Sequence, residues 1–220
     1  MKLTVDAVVF GYVEDDLKIL LIKRKYEPFS NCWALPGGFV SNNESLESAV
    51  LRELKEETSI ENIYLEQLYT FGNIDRDPRE RIVSVAYYGL VKPEKFIISA
   101  TTDASDVKWF SVNEIPDIAF DHKVIIDKAH SRLKSKLRYE PIGFELLPDK
   151  FPFSKLQKMY ETIIGMKFDR RNFRKKFLKL EVLSELNEKQ IGVSHKAGHL
   201  FMFNLDSYNN KKKTGFYFEI

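Results

Sequence analysis

Two β-rich, mainly apolar runs open the chain, 3–12 and 17–23. The Glu14-Asp15-Asp16 stretch between them predicts a hairpin with an acidic turn. Lys23-Arg24-Lys25 then opens a polar crossing to Trp33-Ala34-Leu35-Pro36-Gly37-Gly38, where paired glycines let the backbone bend sharply or come close to a ligand. Apolar positions at helical spacing predict a helix over about 45–58. Ser41 and Glu44, three residues apart, form a capping-box pattern ahead of it, with Asn42 or Asn43 as alternative caps. Strand patterns follow at 63–71, 81–91 and 107–112, with a loop over 72–80. The strongest is RIVSVAYYGLV, rich in β-branched and aromatic residues. Residues 120–137 read as a second helix, with Val124, Ile125, Lys128 and Ala129 at helical spacing. Strands interleaved with helices around a mixed sheet make an α/β layered domain.

The pattern weakens over 138–153, where Pro141, Gly143, Pro148 and Pro152 predict an irregular join. A helix capped by Ser154 is expected to run to Ile164 and to stop at Gly165. Asp169 opens another, DRRNFRKKFLKL, in which Phe173, Phe177 and Leu180 form an i, i+4, i+7 stripe. Half of residues 169–180 are Lys or Arg, and that stripe fixes which face is buried, so the cations must point outward. Two strand-like runs, 182–187 and 199–204, are joined by a segment carrying Gly192, His195, Lys196 and Gly198. Helix, turn, basic helix, hairpin is a winged helix-turn-helix order. The expected organisation is an α/β domain over 1–140, a linker over 141–152 and a winged-helix domain over 153–220.

Chemistry enters at the far end of the first helix. At roughly 100° per residue, Leu46, Val50, Glu53 and Glu57 fall on one stripe with Glu56 at its edge, so carboxylates continue a stripe that begins apolar. An ionised acid in an apolar surrounding is costly, which implies that the stripe leaves the core and opens into a wet cleft able to hold a cation. Hard oxygen ligands suit Mg²⁺ or Mn²⁺. The alternative for the same residues is a glutamate-rich helix end neutralised by Arg52, Lys55 and solvent.

Charge sharpens the division of the chain. The formal net charge is +2, but residues 1–150 sum to −5 and 151–220 to +7, so an acidic front part precedes a basic one, which suits either a polyanion partner or a basic solvated surface. Cys32 is the only cysteine, which excludes an intrachain disulfide framework and favours a reducing, cytoplasmic setting. Its expected role is passive packing. Asp6 and Glu14 interrupt the early hydrophobics, so neither a signal peptide nor a membrane span is expected. His122, His130, His195 and His199 lack metal spacing and are expected to be structural or surface groups.

Gly38, Glu44 and the run Arg52-Glu53-Leu54-Lys55-Glu56-Glu57-Thr58-Ser59-Ile60 resemble the Nudix box, whose tail reads Arg-Glu-apolar-any-Glu-Glu-any-Gly-apolar; Ser59 replaces the glycine. The resemblance implies a Nudix α/β/α sandwich with a mixed sheet. It also implies that Glu53, Glu56 and Glu57 bind Mg²⁺ or Mn²⁺ across a substrate diphosphate and act catalytically, with Arg52 structural. A glycine at position 59 would end the helix in a left-handed turn, where serine costs on the order of 1 kcal/mol. Arg76-Asp77-Pro78-Arg79 is similar to the loop of ADP-ribose-directed Nudix relatives. Arg24, Gly37, Gly38, Arg76 and Arg79 are the candidate ligand-binding residues; a solvated loop held by Asp-Arg pairs is the alternative for the arginines.

The stretch FPFSKLQKMYETIIGMKFDRRNFRKKFLK resembles the C-terminal winged helix of Nudix-related transcriptional regulators. That resemblance implies a homodimer on a double-stranded DNA operator, controlled by a nucleotide-sugar or sugar effector. Arg170, Arg171, Arg174, Lys175 and Lys176 would face DNA, with His195 and Lys196 at the wing tip. The competing expectation is an Mg²⁺-dependent pyrophosphohydrolase of ADP-ribose or a related diphosphate.

Overall fold

The structure is a computed structural model that describes residues 1–100, 104–190, 198–215 and 217–220. It divides into two compact units, one of residues 1–13 with 17–132, the other of 14–16 with 133–220. No helix among the described residues is long and apolar enough to cross a membrane.

In the first unit, β1 (Lys2–Val13) and β2 (Asp16–Arg24) form the expected hairpin. Glu14 and Asp15 turn it with φ of 51° and 61°, the left-handed pair that matches strand twist. The short strands β3 (Trp33–Ala34) and β4 (Gly37–Phe39) pair with β2 and β1, so the paired glycines lie within the sheet and not in a turn. After α1 (Leu46–Thr58) come β5 (Tyr64–Phe71), β6 (Ile82–Val91) and β7 (Ala104–Ser111). The path through the sheet is β3-β2-β1-β6-β5, with β7 on β2, and β6 runs parallel to β1.

Strand alternation sorts β1 onto two covered faces. Val5, Ala7 and Val9 join Ala49, Val50 and Leu54 of α1 in one buried cluster. Phe10, on the other face, meets His130 of α2 (His122–Tyr139) at 6.4 Å between ring centroids. Each fully buried aliphatic side chain here stabilises the fold by about 1.5–3 kcal/mol. The cap of α1 differs from expectation. Ser45, and not Ser41, Asn42 or Asn43, accepts from Ser48 N, while Glu44 Oε1 accepts from Ser41 N at 2.8 Å, so only the Glu44 half of the expected box pattern forms. Cys32 is half-buried against the α1-side cluster, in keeping with passive packing.

The second unit contains the end of α2, a 3₁₀ turn (Ile142–Leu146), β8 (Phe151–Pro152), α3 (Phe153–Ile164), α4 (Arg170–Lys179), β9 (Leu183–Lys189), β10 (His199–Phe203) and α5 (Leu205–Thr214). Much of the stretch expected to be a linker is packed: Ile142, Leu146, Leu147 and Phe151 are buried. A Cβ on Gly143 would stand 2.5 Å from the Met159 methyl, so glycine there serves close packing. Prolines and glycines mark the irregular path, while these apolar residues decide where it lies. α3 starts two residues earlier than expected; Pro152 occupies the cap position without a side-chain bond, and Ser154 lies inside the helix. Gly165 ends α3 at φ 81°, as expected. Asp169 caps α4 through Asn172 N. Phe153, Tyr160, Phe173, Phe177 and Phe201 form an edge-to-face aromatic core.

Candidate functional site

A cavity of about 410 Å³ opens in the first unit, lined among others by Asp6, Arg24, Gly37, Gly38, Phe39, Arg52, Glu53, Glu57, Arg76, Arg79, Phe120 and His122. Glu57 is buried, and its Oε2 accepts from Gly37 N at 2.9 Å, which ties the end of α1 to β4. Arg52 organises the remaining acids. Its Nε and Nη2 grip Glu44 at 3.0 and 2.7 Å, and its Nη1 donates to Glu53 at 2.8 Å and to Glu56 at 3.1 Å. The Arg52 guanidinium and the Ser41 N–H hold the Glu44 carboxyl down at about 2. Glu53 and Glu57 face the cavity, whereas the Glu56 side chain is 47% exposed and outside its lining.

The donors suit a hard divalent cation in type, since all three acids offer carboxylate oxygens. Among the described residues, however, no three His, Cys, Asp or Glu side chains are grouped so as to hold a metal. The positive charge amid the acids is Arg52. Ser59 closes α1 at φ 62° and ψ 18°, the left-handed conformation a glycine would take without strain, and its Oγ lies 2.7 Å from Ser99 Oγ.

Beneath the cavity lies a buried charge network. Ser84 Oγ donates to Asp6 Oδ2, and Arg76 Nη2 reaches the same oxygen at 3.4 Å. Arg76 also forks onto Asp121, Nε to Oδ2 at 3.0 Å and Nη2 to Oδ1 at 2.7 Å. His122 Nδ1 accepts from Leu35 N at 2.9 Å while Nε2 lies 3.5 Å from Asp6 Oδ1, which assigns a neutral ring with its proton on Nε2. Burial outweighs the nearby aspartates and lowers the His122 pKa. Arg76, expected to grip a ligand, thus has its charge committed to internal acids.

Arg79 and Arg24 stand differently. Arg79 pairs with Asp77 at 2.7 Å, and its guanidinium lies 5.2 Å from the Phe39 ring centroid and 5.6 Å from that of Phe120. Arg24 donates to Pro28 O and lies 4.9 Å from the Phe120 ring. The cavity therefore offers the Arg24 and Arg79 guanidinium groups on aromatic faces and, among its acids, the Glu53 and Glu57 carboxylates from α1. That combination accepts an anion joined to a planar or hydroxylated group.

In the second unit α4 buries Phe173 and Phe177, which leaves Arg170, Arg171, Lys175 and Lys176 exposed. At about 100° per residue, Arg171, Lys175 and Lys179 point away from the buried stripe, and Lys176 lies on the flank toward α5. Arg174 turns to the opposite flank, 4.9 Å from the Phe153 ring, 5.1 Å from Phe201 and 3.7 Å from Glu185. His195 and Lys196, expected at the wing tip, lie outside the described residues.

The family model for the NUDIX domain matches residues 2–129, and that for the NrtR DNA-binding winged helix domain matches 143–203. The chain belongs to the Nudix family. Its Nudix domain is followed by an NrtR-type winged helix, as the C-terminal pattern led us to expect. An ADPR responsive transcriptional repressor, NtrR, of Acinetobacter baylyi is 33% identical over 94% of this chain and 84% of its own length. The ADP-ribose pyrophosphatase of Methanocaldococcus jannaschii is 43% identical over 58% of this chain and 73% of its own. The crystal structure of Shewanella oneidensis NrtR complexed with a 27mer DNA superposes with a TM-score of 0.80 at 33% identity, covering 94% of this chain and 95% of that one.

Several side chains of the Nudix cavity carried no functional assignment from the sequence: Asp6, Phe39, Phe120 and His122. Asp6 had a signal, since a lone carboxylate inside an otherwise apolar strand run must find a buried partner. His122 and Phe120 had none, because the fold brings them to Leu35 and Phe29 from far along the chain.

Proposed function

We propose that this Nudix protein is a DNA-binding transcriptional repressor, acting as a homodimer, whose Nudix cavity binds ADP-ribose or a closely similar nucleotide sugar as effector. The observation that carries the reading is the pairing of an anion-accepting cavity in one unit with an outward cationic helix in the other. The likeness to a repressor and to a DNA-bound structure over 94% of the chain supports it. Arg79 and Arg24 supply charge for a diphosphate, Phe39 and Phe120 supply flat apolar faces, and the Arg76 network fixes the cavity floor. Arg171, Lys175 and Lys179 present charge to a DNA groove and its phosphates.

Mg²⁺ or Mn²⁺ would be held by Glu53 and Glu57, and by Glu56 once it releases Arg52. When bound, such an ion supplies charge neutralisation for diphosphate oxygens and Lewis acidity toward water. Retention of all three box acids favours a second reading, slow hydrolysis of the same ligand, alongside the likeness to an ADP-ribose pyrophosphatase.

The test is binding of the full-length protein to duplex DNA from upstream of its own gene, titrated with ADP-ribose, with AMP release followed in parallel in Mg²⁺. The repressor reading expects tight, salt-dependent binding that ADP-ribose weakens. Absence of DNA binding, or indifference to ADP-ribose, overturns it. AMP release that Glu56→Gln and Glu57→Gln both abolish would establish the hydrolase as well.

A further inference from the structure

The winged-helix unit carries a second basic feature beside the outward face of α4. The matched winged-helix region ends at Phe203, and α5 follows it with Lys211, Lys212 and Lys213 in its last turn. Lysines there complement the negative end of the helix dipole, so α5 alone says nothing about a partner. The groove it shares with α4 says more. A cavity of about 500 Å³ is lined by Lys176 and Lys179 of α4, Lys211 of α5, and Tyr217, Phe218 and Glu219 of the closing segment.

Phe218 is buried and lies 5.2 Å from Phe177, which builds one wall of the groove on the core of the unit. Tyr217 is 84% exposed and gives its hydroxyl to Glu219, the one carboxylate in the described lining. Neither Lys176 nor Lys179 takes part in an ion pair among the described residues. Lys211 pairs with Glu181 at 2.9 Å, but the Glu181 side chain is 76% exposed. Water screens such a pair, and an arriving phosphate can displace it.

We infer that this groove is a DNA phosphate clamp: Lys176, Lys179 and Lys211 take the sugar-phosphate backbone beside the groove that α4 enters. It rests on the DNA-binding reading above and adds sequence-independent affinity next to the face that reads sequence. Position favours DNA backbone over other polyanions. Lys176 directly follows Lys175 and Lys179 lies one helical turn beyond it, on the helix that carries Arg171, and backbone contacts flank base contacts where a helix lies in a major groove.

The experiment measures anisotropy of a labelled duplex of arbitrary sequence, about three helical turns or roughly 31 base pairs long, with the full-length protein over a range of KCl. Each lost phosphate contact makes the slope of log K against log salt shallower by about 0.9, so Lys176→Ala with Lys211→Ala should flatten it by roughly 1.8. Preference for the upstream operator over the arbitrary duplex should stay within about twofold of wild type, because backbone contacts carry no sequence information. Glu219→Gln should tighten binding to both duplexes. An unchanged slope in a variant with native circular dichroism overturns the clamp, and so does collapse of the operator preference. Tighter binding of single-stranded RNA of equal length, weakened by the same substitutions, also overturns it and assigns the groove to RNA. If the wild type binds no duplex, the DNA-binding reading itself fails; if it binds and only the double variant is unaffected, the clamp alone fails.

Discussion

Arg76 and Asp121 are joined by two parallel hydrogen bonds of 3.0 and 2.7 Å, with the Arg76 side chain 4% exposed and Asp6 as its second partner. The fork ties the loop after β5 to the start of α2 and fixes the floor of the cavity. Removing one member of a buried ion network leaves the others uncompensated, so Arg76→Ala should destabilise the Nudix domain by about 3–5 kcal/mol. Arg76→Lys should recover little, because an ammonium cannot fork. Urea denaturation measures both, and a loss under about 1 kcal/mol would mean that water reaches the pair.

Gly37 and Gly38 serve different purposes, which two alanine substitutions separate. A Cβ on Gly37 would stand 2.2 Å from the Val5 carbonyl, a backbone atom of β1 that cannot yield. Gly37→Ala should cost about 1–3 kcal/mol of stability. A Cβ on Gly38 would stand 2.3 Å from Glu53 Oε1, the end of a flexible side chain. Gly38→Ala should therefore fold normally and weaken ADP-ribose binding by about tenfold or more, as the displaced carboxylate leaves the cavity wall. Calorimetric titration beside a melting curve distinguishes the two.

The same glycines show what one chain of letters can reveal. Their spacing to Glu53 and Glu57 marked the cavity, because i to i+4 neighbours on a helix are fixed by local geometry. The strand they form with β1 was not visible, since pairing partners lie more than thirty residues away. Arg76 and Arg79 looked equivalent as loop cations, yet only the fold decides that Arg76 is buried between Asp6 and the half-buried Asp121 while the Arg79 side chain stays 37% exposed. On α4 the Phe173 and Phe177 stripe predicted the buried face, but Arg174 needed the positions of Phe153 and Phe201 before its flank could be assigned. The cap at Ser45 was hidden because Ser41 with Glu44 satisfies a local pattern equally well.

Ser59 holds a left-handed backbone at φ 62°. Ser59→Gly removes the Cβ strain but also the contact with Ser99 Oγ and adds freedom to the unfolded chain. These terms nearly cancel, so the stability read from the urea midpoint should shift by no more than about 0.5 kcal/mol in either direction. Ser59→Ala keeps the strain and loses the hydroxyl, and should be neutral or slightly destabilising.

His122 predicts a pH dependence with a definite sign. Its folded pKa lies below the ordinary 6.5 because burial disfavours the imidazolium, so the unfolded chain binds the proton first. Its contribution to stability is fully present above about pH 6.5 and falls as the pH drops, with a limiting slope of about 1.4 kcal/mol per unit. Glu44 acts in a separate window: held at about 2 by Arg52, it loses its contribution as the pH falls from 4.5 toward 2. Stability measured between pH 5 and 8 should therefore slope in the wild type and flatten in His122→Gln.

Arg171 and Arg174 are three residues apart on α4, yet they should fail in different ways. Arg171 is exposed on the outward face, so Arg171→Ala with Lys175→Ala should leave the melting curve unchanged. The same variant should weaken operator binding by about tenfold or more, as phosphate and base contacts are lost. Arg174 is wedged between the Phe153 and Phe201 rings and Glu185, where a partly desolvated guanidinium on aromatic faces contributes about 0.5–2 kcal/mol. Arg174→Ala should lower the stability of the winged helix by that amount and reduce DNA affinity only as far as the hairpin loosens. Arg174→Met, which restores apolar cover without charge, should recover most of the stability. If Arg174→Met folds as well as wild type yet binds DNA as poorly as the Arg171 variant, then Arg174 leaves its aromatic cradle to contact DNA.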